Sequence, residues 1–316
     1  MTDAKSDFDV IVVGGGPSGA TAAHEIALAG HRVLLLERAF RIKPCGGAIP
    51  PCILGEFDIP RSLLKAEIQS ARMISPKAQK VDMPIEGTFV GMVDRDEFDP
   101  WLRLRAQRAG AELELAAFKS LKYLDDDTIE VTYVSKDEES EVCTATARCV
   151  LGADGARSKV ARQGVPKYAD IPWVLAYHEI VEAPSTATQN YDPERCEVWY
   201  QGKLSPDFYA WVFPHGTSAS IGVGSAFKDF SAKDSVAGLR SISGLDNAPT
   251  IRKEGAPIPM KPMKRWDDGK GILVSGDAAG VVAPASGEGI YYAMLCGRLS
   301  ADAIKEFLVT GKASAL

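Results

Sequence analysis

The chain has 316 residues, 46% of them apolar and 25% charged, which is the composition of a globular protein with room for one large or two ordinary domains. A formal net charge of −6 argues against nucleic acid, which recruits basic surfaces, and no apolar run reaches the ~18 residues of a membrane-spanning helix. The six cysteines form no C-x-x-C pair and no cluster with histidine, so neither a metal site nor a disulfide framework is expected.

In chain order, Met1 to Asp7 is polar and charged, unlike a signal peptide. The expectation is a soluble, cytoplasmic protein, with peripheral membrane contact left open. From Phe8 to Arg38 an apolar run (Val10 to Val13) ends in a glycine cluster. A small-residue stretch of helical character follows, and a second apolar run (Val33 to Leu36) stops at Glu37. This reads as strand, turn, helix, strand. Gly14, Gly16 and Gly19 fill the G-x-G-x-x-G positions: the first allows a tight turn, the second lets backbone approach a pyrophosphate, and the third lets helix and strand pack closely. Phosphates would lie at the positive end of the helix, and Glu37 is placed to accept hydrogen bonds from ribose hydroxyls. Whether the dinucleotide is FAD or a nicotinamide cofactor, this stretch leaves open.

Beyond it, Lys43-Pro44-Cys45-Gly46-Gly47-Ala48 sits in a loop that runs from Arg38 to Pro51. Alone it is an ordinary flexible turn, but right after a ribose-binding acid its bare backbone could lie close to a cofactor ring. Ala71 to Ile74, Val81 to Ile85 and Thr88 to Val93 read as short strands. A helix then opens at Asp94, which has a capping-box spacing to Glu97 and an apolar period through Phe98, Trp101 and Leu102; Gly110 stops it. Arg95 is unusual at a helix start, where the dipole favours acids: it is either the partner of a bound anion or an ordinary solvated arginine.

Ala111 to Val150 alternates, with a charged break from Lys136 to Glu141, and reads as antiparallel strands. Cys149 to Gly152 is a strand running into Asp154-Gly155, either a common turn or a carboxylate presented to ligand at a strand end. From Ile171 to Ile258 aromatic and β-branched residues dominate, with a helical period only near Ser235 to Ser243, as in an antiparallel sheet with one apolar face. Tyr209, Trp211 and Phe213 alternate onto one face, and Pro214 reads as a strand terminator. Last, Gly271 to Ser275 is a buried strand ending at Asp277. A glycine-rich loop follows and enters a helix, from about Tyr291 to Leu308, around Gly287, Gly289 and Ile290.

These three strand-end landmarks, in this order, resemble the p-hydroxybenzoate-hydroxylase-type flavoproteins. Lys43 to Pro50 and Tyr209-x-Trp211-x-Phe213-Pro214 with Gly222-x-Gly224 are similar to the geranylgeranyl reductase family, in its bacteriochlorophyll and chlorophyll branch. The resemblance implies an α/β fold: a Rossmann-like dinucleotide domain (residues 1–80, 94–165 and 262–316) interleaved with an antiparallel-sheet substrate domain (81–93 and 166–261). The family's further helical segment is expected to be missing at the C-terminus.

It also implies FAD held by Gly14, Gly16, Ser18, Gly19, Glu37, Cys45, Gly46, Ala48, Arg95, a small residue near Ala117, Asp277, Gly289 and Ile290, with Arg38, Gly47, Asp154 and Gly287 beside them. NADPH would be the donor, with no nucleotide fold of its own. The substrate would be an isoprenoid or prenylated tetrapyrrole, lined by Tyr209, Trp211, Phe213 and Pro214, with Cys45 and Tyr209 as the candidate catalytic groups. The rival expectations are a flavin monooxygenase or halogenase, and a non-catalytic prenyl-lipid-binding protein on the same fold.

Overall fold

The computed structural model describes residues 6–39, 42–136, 141–168, 171–283 and 285–316. Phe40 and Arg41 of the loop after Glu37, residues 137–140 of the expected charged break, and Pro284 of the glycine-rich loop lie outside the described residues. The chain divides into two compact units, one of Met1–Arg41, Asp99–Pro172 and Pro259–Leu316, the other of Ile42–Phe98 and Trp173–Ile258.

The first unit is built on a parallel sheet. Phe8–Val13 pairs with Val33–Glu37 on one side and Val142–Gly152 on the other; Glu112–Tyr123 extends the sheet beyond Val33–Glu37, and Ile272–Val274 extends it beyond Val142–Gly152. Ile129–Ser135 joins the far halves of Glu112–Tyr123 and Val142–Gly152 as an antiparallel meander. The apolar runs are buried on both sides because both sides are covered, as parallel sheets require. Alternation sends Val10, Val12, Val33 and Leu35 to one face, against Ala22, Ala23 and Ile26 of the helix Pro17–Leu28 and Ala301, Ile304 and Leu308 of the helix Ile290–Thr310. Ile11, Val13, Leu34 and Leu36 face the meander and Val160 and Ala161. Each buried valine, leucine or isoleucine among these contributes about 1.5–3 kcal/mol.

The second unit holds a seven-stranded sheet in the order Thr250–Pro259, Trp173–Glu182, Ser218–Ser225, Ala210–His215, Arg195–Trp199, Ser70–Ile74, Lys80–Pro84. Of its pairings, Arg195–Trp199 with Ser70–Ile74 is parallel. One face packs Ala210, Val212, Ile221 and Val223 on Val236 and Leu239 of the helix Ala232–Ile242. The other carries Tyr209, Trp211 and Phe213. A small sheet of Ala48–Ile49, Val90–Val93 and Leu64–Ile68 completes the unit.

Two expectations about organisation need correcting. Residues 42–80, assigned to the dinucleotide domain, group with the antiparallel unit, because Ser70–Ile74 takes its hydrogen bonds from Arg195–Trp199 and Lys80–Pro84. Pro214 does not end its strand, which runs on to His215; the proline lies beyond Val212, the last residue of that strand paired to Arg195–Trp199.

Candidate functional site

In the first unit the glycine loop has the geometry of a nucleotide cradle. Gly14 has φ +107°, and a Cβ there would lie 2.3 Å from the Ala153 carbonyl oxygen, so no side chain fits. A Cβ on Gly19 would stand 1.9 Å from the Gly14 oxygen, so only glycine lets helix and loop approach this closely. Gly16 is different: nothing lies within 4 Å of its would-be Cβ. It is the N-cap of the helix Pro17–Leu28, with no side chain capping it and no acid in the first turn. Open space before an uncapped, positive helix end is what an entering pyrophosphate needs.

Glu37 sits over this loop. Its Oε2 accepts from the Gly15 N–H at 2.8 Å and its Oε1 from the Ala39 N–H at 3.1 Å. The remaining lone pairs can receive the two hydroxyls of a ribose. Arg38 beside it is exposed. Ser18 is buried, and its hydroxyl donates to Ser275 Oγ at 2.8 Å. Ala117 lies in the strand Glu112–Tyr123, paired with Val134.

Sequence reasoning missed Arg103. Its side chain is buried, and Nη1 donates to the Gly15 carbonyl at 3.2 Å, placing a cation in the glycine loop. The available signal was the spacing Asp99 to Arg103, opposite charges one turn apart, and the structure buries both.

Asp277 lies in the turn Gly276–Ala279, 3.9 Å from the position of a Cβ on Gly289. Gly289 is the N-cap of Ile290–Thr310, and Ile290 is its buried first residue. Gly287 has φ +68° and closes the preceding turn by donating to the Ala283 carbonyl at 2.8 Å. Glu288 Oε1 accepts from the Tyr291 N–H, and burial pushes its carboxyl up. Asp154 is committed locally: its carboxylate accepts from Ser158 Oγ and from the N–H groups of Lys159 and Val160, at the start of the helix Lys159–Gly164. Burial pushes this carboxyl up despite those bonds.

In the second unit the cysteine loop and the aromatic strand come together. A Cβ on Gly46 would lie 3.0 Å from the Phe213 ring and 3.7 Å from Trp211 Nε1. Gly47, at φ +78°, would place one 2.4 Å from the Val93 oxygen and 2.6 Å from His215 Cε1. Cys45 Sγ accepts from the Gly47 N–H at 3.4 Å. Ala48 opens the short strand Ala48–Ile49, opposite Met92.

Tyr209 stacks on Phe208 at 4.2 Å and meets Trp211 edge-on at 6.0 Å, and Trp211 lies 6.2 Å from Phe213. Burial pushes the Tyr209 phenol well above its ordinary range, with Tyr200 and Cys45 acting in the same direction, so the phenol keeps its proton. Pro214 is the exception among the expected lining residues, since alternation turns it to the opposite face from Trp211 and Phe213.

Trp211 is held from behind. Its indole N–H donates to Ser220 Oγ at 3.0 Å, Ser220 meets His178 Nδ1 at 2.9 Å, and His178 Nε2 meets Glu254 at 3.1 Å. Arg95 is buried in the first turn of the helix Arg95–Arg108. Of the residues expected to cap this helix, Asp94 is engaged with His215 and Glu97 with Lys65.

Comparison with known proteins adds the following. A family described as "FAD binding domain" matches residues 61–295, and one described as "FAD dependent oxidoreductase" matches residues 9–48. A geranylgeranyl diphosphate reductase of Rhodobacter capsulatus is 56% identical over 306 residues, covering 96% of this chain and 77% of that protein. A chloroplastic geranylgeranyl diphosphate reductase of Oryza sativa is 38% identical, over 93% of this chain and 66% of the relative. Among solved structures, a geranylgeranyl bacteriochlorophyll reductase-like protein of Thermoplasma acidophilum superposes with a TM-score of 0.86 at 25% identity, covering 97% of this chain and 80% of that one.

Proposed function

This chain belongs to the geranylgeranyl diphosphate reductase family, and we propose that it is an FAD-dependent, NADPH-driven reductase saturating the double bonds of a geranylgeranyl group toward phytyl. The group would be carried either as the free diphosphate or esterified to (bacterio)chlorophyll. The observation that carries the reading is the contact of Gly46 with Trp211 and Phe213, together with the closeness of Cys45 to Tyr209, which puts the thiol's loop beside an apolar wall suited to a polyene.

The residues present fit FAD. Gly16 leaves room before the helix for the pyrophosphate, Glu37 keeps free lone pairs for the ribose, and Arg103 supplies a buried cation at the same loop. When bound, FAD supplies two-electron reducing power drawn from NADPH. An isolated alkene has no carbonyl to polarise, so the protein's work is to orient the chain, exclude water and place a proton. Trp211 and Phe213 orient and exclude. Cys45 and the protonated phenol of Tyr209 are the groups able to give a proton to the alkene carbon.

Among the described residues no helix is long and apolar enough to cross a membrane. A soluble protein meeting a pigment-borne chain by peripheral contact is part of the same proposal. The test is to incubate FAD-loaded protein and NADPH with geranylgeranyl diphosphate and with geranylgeranyl-chlorophyllide, and to weigh the products. Each saturation adds two hydrogens. An oxygenated or halogenated product would favour the monooxygenase or halogenase, and prenyl binding by a colourless protein would favour a non-catalytic carrier.

A further inference from the structure

His215 ends the aromatic strand, on the same face as Trp211 and Phe213, with its side chain only 4% exposed. Its Nδ1 lies 2.8 Å from Asp94 Oδ1 and its Nε2 lies 3.0 Å from the Gly46 carbonyl oxygen. A peptide carbonyl and a carboxylate can only accept, and a neutral imidazole owns a single N–H. Both contacts can be hydrogen bonds at once only if both ring nitrogens carry protons. The charge on Asp94 agrees: burial opposes it, yet the hydrogen bond from His215 and the nearby charges of His215, Lys65 and Arg252 hold the carboxyl below its ordinary value. Lys65 is itself paired with Glu97, and Arg252 lies 4.0 Å from Asp96.

The carbonyl that takes the Nε2 proton belongs to the peptide joining Gly46 to Gly47. The N–H of that same peptide donates to Cys45 Sγ at 3.4 Å. Drawing on the oxygen of a peptide polarises it and makes its N–H a stronger donor. A donor aimed at sulfur favours the form carrying negative charge. Asp94, His215, the Gly46–Gly47 peptide and Cys45 are therefore one line of hydrogen bonds, with the sulfur at its end.

We propose that His215 is a positioning residue: held as an imidazolium by Asp94, it acts through the Gly46–Gly47 peptide to fix and polarise the environment of the Cys45 sulfur. The proposal deepens the reading of Cys45 as a proton donor and rests on it for relevance to turnover. Histidine protonation and cysteine alkylation read it without turnover.

The first test is nitrogen-detected histidine NMR on the FAD-loaded full chain. The chain has 4 histidines, and comparison with His215→Gln assigns the resonance. At neutral pH both ring nitrogens of His215 should show the protonated signature, and a neutral-tautomer pattern would overturn the proposal.

The second test is iodoacetamide alkylation resolved by peptide mass spectrometry. At neutral pH Cys45 should react about tenfold more slowly in His215→Gln and within about threefold of wild type in His215→Lys, which keeps a cationic donor. Exposed Cys52 should be unchanged in both. Equal Cys45 rates in wild type and His215→Gln would overturn the coupling. Asp94→Asn, which removes the counter-charge and leaves the ring, should slow Cys45 in the same direction and stands in if His215→Gln does not fold. In turnover, His215→Gln should lower kcat about tenfold with KM within about twofold, and His215→Lys should restore it. Loss of prenyl reduction by the wild type would void this last arm alone.

Discussion

Gly222→Ala probes the support of the aromatic wall. Gly222 is paired with Trp211 on one side and His178 on the other. A methyl there would stand 2.1 Å from Trp211 Cζ2, 2.5 Å from its Cε2 and 2.6 Å from His178 Cβ. Carbon atoms pack at about 3.5–4.0 Å, so the indole must retreat by about 1.5 Å. Its N–H bond to Ser220 Oγ, 3.0 Å long, would not survive that shift. Overpacking costs about 1–3 kcal/mol and the lost bond about 1 kcal/mol, giving roughly 2–4 kcal/mol in all. By thermal unfolding the melting midpoint should fall on the order of 5–15 °C. Trp211→Phe removes the clashing atoms, so the Gly222→Ala/Trp211→Phe double variant should be about 1–2 kcal/mol more stable than the two single effects sum to. A wild-type midpoint for Gly222→Ala, or strict additivity in the double variant, would refute this account of the wall.

Glu37→Ala should raise the FAD dissociation constant about 10- to 100-fold, since it orphans the Gly15 and Ala39 N–H groups and removes the ribose acceptors; an unchanged flavin spectrum on purification would refute the assignment. Cys45→Ser should leave FAD bound and slow alkene reduction, and full turnover would remove the thiol from the chemistry. Asp94 is held below its ordinary value of 3.8 in the folded protein. Its contribution to stability is therefore complete above about pH 4 and drains as the pH falls further, because the unfolded chain takes up the proton first. Asp94→Asn should lose less stability than wild type between pH 4 and 3 in acid unfolding; parallel curves would count against the pair. Asp154→Ala, stripping three bonds at the start of Lys159–Gly164, should cost about 1–2 kcal/mol by urea unfolding, with FAD affinity as the companion measurement.

The nucleotide cradle was legible because its parts are local. Gly14, Gly16, Gly19 and Glu37 lie within one strand, turn, helix and strand, and Gly14 and Gly19 meet the steric restriction their positions imply. The aromatic face was legible for the same reason, since alternation needs only neighbouring residues. What escaped is set by partners distant along the chain. Arg103 reaches Gly15 across 88 positions. Ser70–Ile74 finds its sheet in Arg195–Trp199, and local pattern identifies a strand without naming its neighbour. Asp94 and Glu97 have the spacing of a capping box, and that spacing says nothing of His215 and Lys65, 121 and 32 positions away, which meet their carboxylates. Pro214 misleads because a proline ends a strand only where its missing N–H is needed.

The central claim is that a flavin-loaded form of this chain passes its electrons to a prenyl double bond and needs no oxygen to do so. The most direct measurement reduces the FAD-loaded protein with dithionite under nitrogen, adds geranylgeranyl substrate and follows the absorbance of oxidised flavin. Return of that absorbance without air, with the product gaining two hydrogens for each flavin reoxidised, is the predicted result. Recovery only after oxygen is admitted, with the prenyl chain left unsaturated, would contradict it.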